Sequence, residues 1–238
     1  MSLSFRSFNV LYIDPPWQYK NKKTGGSHTS GAAQKYDILS IADIKGLPIS
    51  RIMDPAGSVC FMWITMPLLI DGTGPDVMRA WGFKPKAGLC WDKTAFGTGY
   101  WFRGQMEVLM FGIRGRVPAW RTSVRNYYSE PRSSHSRKPF YYRRLITEVT
   151  RLHKMTRRVE IFATTKAWNW TSWGNALDGR DIRDVLSEVT GAQPIGASSR
   201  LDRTLPHPIH GVRVKRLHPG RSKDEGRHRT SSQETTAA

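Results

Sequence analysis

Residues 9–17 read Asn9-Val10-Leu11-Tyr12-Ile13-Asp14-Pro15-Pro16-Trp17. A short unbroken run of β-branched and aromatic residues predicts a strand over 9–13, and the absence of polar alternation predicts that both of its faces are covered. Proline has no N–H and a fixed φ, and Pro16 holds Pro15 in extended backbone. The strand therefore stops at Asp14. Open α/β sheets place their ligand crevice beyond the carboxyl ends of strands, so Asp14 stands where a site is expected.

Runs of the same kind at 59–64, 87–91, 108–112 and 159–163 predict further strands. Helical patterns lie between them. Residues 41–53 read as two short helices broken at Pro48. Residues 76–81 follow Pro75 and stop at Gly82. Residues 139–153 place Phe140, Leu145, Ile146, Val149 and Leu152 on one side, and residues 181–190 end at Gly191. Strands alternating with helices predict an α/β sheet covered on both sides. Residues 20–33 are rich in Gly, Ser and Lys without a hydrophobic period, and periodicity vanishes from Pro194 onward. The expected organisation is one domain over 1–192 and a basic, flexible tail over 193–238.

The formal charge is +18 over 238 residues. It is concentrated at 114–158, where thirteen Lys and Arg stand against two acidic residues. Arg121 and Arg125 lie in that block, interleaved with Trp120, Tyr127, Tyr128, Tyr141 and Tyr142. Cations neutralise phosphates and aromatic rings stack on bases, so the expected partner is nucleic acid. Cys60 and Cys90 sit in apolar runs and read as free buried thiols; without a CxxC or Cys/His cluster no zinc site is expected. His207, His210 and His218 have no ligand spacing, and no metal is expected. The N-terminus lacks a signal-peptide core and no apolar stretch is long enough to span a bilayer, which predicts a cytoplasmic protein without membrane contact.

The Asp14-Pro15-Pro16-Trp17 segment has a specific chemical use. An exocyclic adenine amine has two N–H donors; the Asp14 carboxylate accepts one and the Pro15 carbonyl the other. Held that way, the nitrogen lone pair is aimed away from the ring toward an electrophile, with Trp17 as a stacking face for an extruded base. Positioning supplies much of the rate of an in-line methyl transfer, and Asp14 can take the surplus proton.

Further motifs follow in order: Tyr36; Leu47-Pro48-Ile49; Phe61-Met62-Trp63-Ile64-Thr65; Trp81-Gly82-Phe83; Trp91-Asp92-Lys93; Gly97-Thr98-Gly99-Tyr100-Trp101 with Arg103 and Glu107; His135-Ser136-Arg137-Lys138-Pro139; Val159-Glu160-Ile161-Phe162-Ala163; and Trp170 with Trp173-Gly174-Asn175. From Val10 to Ala176 the chain resembles the adenine-N6 methyltransferase family named for the seventy-kilodalton catalytic subunit of the mRNA adenosine methyltransferase, in its prokaryotic and phage branch. The resemblance implies a Rossmann-like S-adenosylmethionine-dependent methyltransferase with permuted motif order, a mixed sheet flanked by helices on both faces, in the cytoplasm of a prokaryotic or phage-infected host cell. It implies Asp14, Pro15, Pro16 and Trp17 as the catalytic segment. Asp14 and Pro15 would sit beside the donor methyl, Lys138 would contact the donor's carboxylate, Glu160 its ribose and Asn175 the ribose or adenine side. Tyr36, Lys93, Tyr100, Trp101 and Arg103 lie in loops placed to close over the nucleotide. Two positions depart from the family: Thr164 stands where Arg is usual after Phe-Ala, and Asn169 where Gly usually precedes Trp170; Asn tolerates left-handed backbone better than most residues, so the turn is expected to survive. Three readings stay open: N6 methylation of adenine in DNA, the same reaction on RNA, and a catalytically silent nucleic-acid-binding subunit. Cytosine N4 methylation ranks below them, because those enzymes usually carry Ser in place of Asp14. The oligomeric state is not legible.

Overall fold

The computed structural model describes residues 7–18, 39–97, 101–133 and 137–192. Among these, seven strands form one sheet: β1 (Val10–Ile13), β2 (Gly57–Thr65), β3 (Lys84–Asp92), β4 (Met106–Gly115), β5 (Tyr127–Ser129), β6 (Arg158–Ile161) and β7 (Thr171–Trp173). Their spatial order is β5-β3-β4-β2-β1-β6-β7. β1 runs parallel to β2 and β6, β6 to β7, and β3 to β5, whereas β4 runs antiparallel to both β2 and β3. The described helices are α1 (Ile41–Gly46), α2 (Ile49–Ile52), α3 (Met66–Ile70), α4 (Thr73–Ala80), α5 (Phe140–Leu152), α6 (Asn175–Asp178) and α7 (Ile182–Thr190).

Side chains alternate across a strand, and both sets are buried. On one face Leu11, Ile13, Cys60, Met62, Val159 and Ile161 pack with Ile44 of α1, Ile49 of α2, Val77 of α4 and Leu186 of α7. On the other, Val10, Tyr12, Phe61, Trp63 and Leu109 pack with Tyr142 and Ile146 of α5. This is the α/β Rossmann-like architecture expected, a mixed sheet with helices on both faces. Four tryptophans, Trp17, Trp63, Trp81 and Trp91, are buried. Each donates its indole N–H to an internal oxygen: Trp17 to the Trp63 carbonyl (3.0 Å), Trp63 to the Tyr12 hydroxyl (2.7 Å), Trp81 to the Ile44 carbonyl (3.0 Å) and Trp91 to the Glu130 carbonyl (2.8 Å). The large apolar ring is buried without leaving its one donor unmatched.

The helix and burial expectations need three adjustments. α4 begins at Thr73, so Pro75 lies inside its first turn, where a missing N–H removes no intrahelical bond. α5 buries Tyr142, Ile146 and Thr150, while Phe140 and Leu152 are 67% and 71% exposed. The buried stripe runs at four-residue steps around Tyr142, whose hydroxyl bonds the Cys90 carbonyl at 2.9 Å. Cys90, expected buried, is half-buried. The break at Pro48, the left-handed cap at Gly191 and the left-handed φ of 61° at Asn169 follow the sequence reading. The expected tail over 193–238 lies outside the described residues. Among the described residues no helix is long and apolar enough to cross a membrane.

Candidate active site

The parallel strands all end at one edge of the sheet, and β4, being reversed, begins there. Asp14 follows β1, Lys93 follows β3, Phe162 follows β6, and Glu107 is the second residue of β4. Tyr12 and Glu160 are register partners on neighbouring strands, so their side chains stand together on the face that carries α5. A cavity of about 290 Å³ opens here, lined by Tyr12, Asp14, Lys138, Arg143, Glu160 and Phe162 among others. That is near the lower end of the usual range for small-molecule sites, roughly 300–1,000 Å³.

One wall is made by an unusual turn. Phe162 takes a left-handed φ of 62°, uncommon for a bulky residue and frequent at functional sites. The chain then returns to the sheet: the Ala163 amide bonds the Trp173 carbonyl at 2.9 Å. Gly174 packs so tightly on this turn that a Cβ there would lie 2.4 Å from the Ala163 carbonyl oxygen. The reversal brings Thr164, Thr165 and Lys166 onto the cavity.

Asp14 and Lys138, which also line the cavity, belong to a chain of alternating charges. Lys138, just before α5, sits between two carboxylates, 2.9 Å from Asp14 Oδ2 and 3.1 Å from Glu107 Oε2. Lys93 holds the other Glu107 oxygen at 3.3 Å. Lys138 also lies 5.4 Å from the centre of the Trp63 ring, within cation–π range. Lys138, Glu107 and Lys93 are 16%, 18% and 14% exposed in their side chains and Asp14 is 33% exposed, so Asp14 is the most open member, and both Asp14 and Lys138 line the cavity. Burial raises the Asp14 carboxyl above its ordinary range against the lowering effect of Lys138. At Glu107, burial also pushes upward, but Lys138 and Lys93 together outweigh it and leave the group below its usual range. Lys138 is held strongly cationic, its burial cost exceeded by the two carboxylates. Glu160 is raised by burial, with Arg143 opposing.

The expected residues divide unevenly. Asp14, Lys138 and Glu160 meet at the cavity. The Pro15 carbonyl, expected bare, already accepts the Trp17 amide at 2.8 Å, an i to i+2 turn contact that leaves its second lone pair. Trp17 is 7% exposed and belongs to the core; its ring locks the proline turn onto β2 and does not offer the open stacking face expected. Lys93, expected at nucleic acid, faces inward on Glu107. Asn175 is exposed at the start of α6 and does not line the cavity. Trp101 (93% exposed) and Arg103 lie between β3 and β4 at the site's edge of the sheet. Arg121 and Arg125 are exposed between β4 and β5. Tyr36 and Tyr100 lie outside the described residues. Sequence reasoning assigned no role to Tyr12, Glu107, Arg143 or Phe162. A carboxylate at the head of an apolar strand was the available signal for Glu107; nothing local marks Arg143 among so many arginines.

The cavity suits an adenosyl sulfonium donor. Glu160 Oε2 is buried with no hydrogen-bond partner among the described residues, as a hydroxyl-rich ligand requires of its receptor. Arg137 and Lys138 precede a 13-residue helix whose N-cap residue, Pro139, makes no side-chain cap, which favours a carboxylate. Phe140 and Phe162 add apolar surface. Among the described residues no group of three or more His, Cys, Asp or Glu is arranged to hold a metal ion.

The family profile described as MT-A70 matches residues 8–176. The chain is 26% identical over 194 residues to the Type II methyltransferase M.MunI of a Mycoplasma species, covering 74% of this chain and 81% of that protein. It is 24% identical over 207 residues to the human N(6)-adenosine-methyltransferase catalytic subunit METTL3, covering 81% of this chain and 32% of that protein. It is 26% identical over 120 residues to the Arabidopsis thaliana N6-adenosine-methyltransferase non-catalytic subunit MTB, covering 46% of this chain and 14% of that protein.

Proposed function

This chain belongs to the MT-A70 family, and on that premise we propose that it transfers a methyl group from S-adenosylmethionine to the N6 amine of adenine in DNA. The observation that carries the reading is the Asp14 carboxylate, one-third exposed, in a cavity also lined by Glu160, one of whose buried oxygens is unmatched among the described residues. When bound, the cofactor supplies a methyl carbon made electrophilic by a sulfonium. Arg137, Lys138 and the first turn of α5 bind its carboxylate, and Glu160 takes its ribose. Asp14 accepts one N–H of the adenine amine and the free lone pair of the Pro15 carbonyl accepts the other. As the nitrogen gains the methyl it becomes cationic, and Asp14 takes the surplus proton or passes it to water. Lys138 keeps Asp14 charged for that role, and Glu107 with Lys93 keeps Lys138 in place.

The preference for DNA follows the prokaryotic-type motif spacing and the likeness to M.MunI; action on RNA is the second reading, supported by the likeness to METTL3. The likeness to MTB keeps a silent binding subunit as a third. Incubating the full chain with methyl-labelled cofactor and single- or double-stranded DNA and RNA separates them, with products digested to nucleosides and identified by mass. N6-methyldeoxyadenosine is expected. Label on cytosine, or cofactor binding without any nucleic-acid product, overturns the assignment.

A further inference from the structure

Arg143 lies one turn into α5 and reaches across the cavity to β6. Its Nη2 donates to Glu160 Oε1 at 2.6 Å and its Nη1 to Thr165 Oγ1 at 3.2 Å. Both charged side chains are largely buried, at 15% and 9% exposure. A guanidinium and a carboxylate usually meet side by side through two parallel bonds. Here only one bond forms between them, and the two atoms that a second would join, Arg143 Nε and Glu160 Oε2, are both buried without a partner among the described residues. An unmatched donor and an unmatched acceptor in one buried ion pair are costly to both ions.

Few groups satisfy both atoms at once. An ether or carbonyl oxygen accepts but cannot donate, and an ammonium donates but cannot accept. A hydroxyl does both, and two hydroxyls on adjacent carbons do so with a fixed spacing. Thr164, without charge, offers Glu160 no cation, and among the described residues the ion-pair partner of Glu160 is supplied by α5, as Arg143.

We propose that Arg143 and Glu160 act as a paired hydroxyl reader for the ribose of the methyl donor, Glu160 accepting from and Arg143 donating to its vicinal hydroxyls. This rests on the reading that the cavity takes an adenosyl donor. It makes Arg143 a binding residue contributed by α5, and it makes the ribose hydroxyls the feature that converts an incompletely matched ion pair into a complete one.

The test is calorimetric titration of the full-length protein with S-adenosylhomocysteine and with its 2′-deoxy and 3′-deoxy analogues, repeated on Arg143→Lys, which keeps the charge but loses the fork. The native chain is expected to bind at least one deoxy analogue tenfold or more weakly than the parent. Arg143→Lys is expected to lose about tenfold for the parent and little for that analogue, so that the discrimination collapses. Equal affinity of the native chain for all three ligands overturns the proposal and leaves the methyltransferase reading intact. An equal loss for parent and analogue in Arg143→Lys also overturns it, because Arg143 then supports only the shape of the wall. If the variant does not fold, the analogue series on the native chain decides. If the native chain binds neither S-adenosylmethionine nor S-adenosylhomocysteine, both readings fall.

Discussion

Asp14 combines burial with access, and its chemistry is set by the balance between them. Burial raises its carboxyl above the ordinary range and Lys138 pulls the other way. The ionised form is the one that accepts the amine proton, so kcat/KM falls as pH drops through a value above the usual aspartate range. Replacing Lys138 with Met removes the opposing cation. At saturating cofactor the acid limb of the rate profile is then expected at higher pH; a limb that stays put or moves lower refutes the pairing as the control on Asp14. Asp14→Asn keeps the shape but loses the charge, and its turnover is expected to fall on the order of 10²–10⁴-fold with cofactor affinity held within about tenfold. Unchanged turnover means that Asp14 is not the acceptor. Trp17 gives a contrasting case. Trp17→Phe removes the donor to the Trp63 carbonyl and is expected to cost about 1–3 kcal/mol of stability with KM for nucleic acid unchanged. A raised KM with an unchanged melting temperature restores Trp17 to the substrate.

The segment from β6 through β7 to α6 shapes one wall of the cavity by close backbone packing. Gly174 is extended, and its constraint is the Ala163 carbonyl and amide pressed against it. Gly174→Ala is expected to overpack this contact at a cost of about 1–3 kcal/mol. A fall of several degrees in Tm together with weaker cofactor binding is the outcome to look for in thermal scans with and without ligand; a native Tm shows that the turn yields freely. α1 is capped one residue beyond Leu39, whose amide donates to the Pro16 carbonyl at 3.3 Å. Ser40 accepts the Asp43 amide at 3.1 Å while Asp43 reaches back to the Ser40 amide at 3.3 Å, a reciprocal cap. Ser40→Ala is expected to cost about 1 kcal/mol in chemical denaturation without changing turnover.

The whole molecule carries a charge of +18, and its nucleic-acid affinity is expected to fall steeply with salt. Each phosphate contact contributes a slope of about −0.9 in log K against log salt on duplex DNA. Arg121→Ala and Arg125→Ala are each expected to flatten that slope by about one in fluorescence titrations, if both touch phosphates; an unchanged slope removes them from the interface. The described buried apolar residues run from Phe8 to Leu186. A chain shortened to 1–192 is therefore expected to unfold cooperatively, with a shallower salt dependence. Failure of the shortened chain to fold places the remaining residues in the core.

The run from Asn9 to Trp17 was enough to locate a buried strand, its end at the prolines and a carboxylate at the sheet edge, because each of these depends on neighbours a few positions apart. The break at Pro48, the stop at Gly191 and the left-handed Asn169 were legible for the same reason: they express backbone preferences of single residues. β5 and β7, three residues each, carry no period long enough to read, and exist because β3 and β6 offer them an edge. The inward stripe of α5 escaped its hydrophobic pattern because tyrosine and threonine pack there, each with a hydroxyl partner, while phenylalanine and leucine face out. The charge chain from Asp14 through Lys138 and Glu107 to Lys93 joins groups from four places in the chain, and the Arg143–Glu160 pair ties α5 to β6. Strand register and the docking of α5 bring those groups together, and long-range geometry of that kind leaves no local trace in the order of the residues.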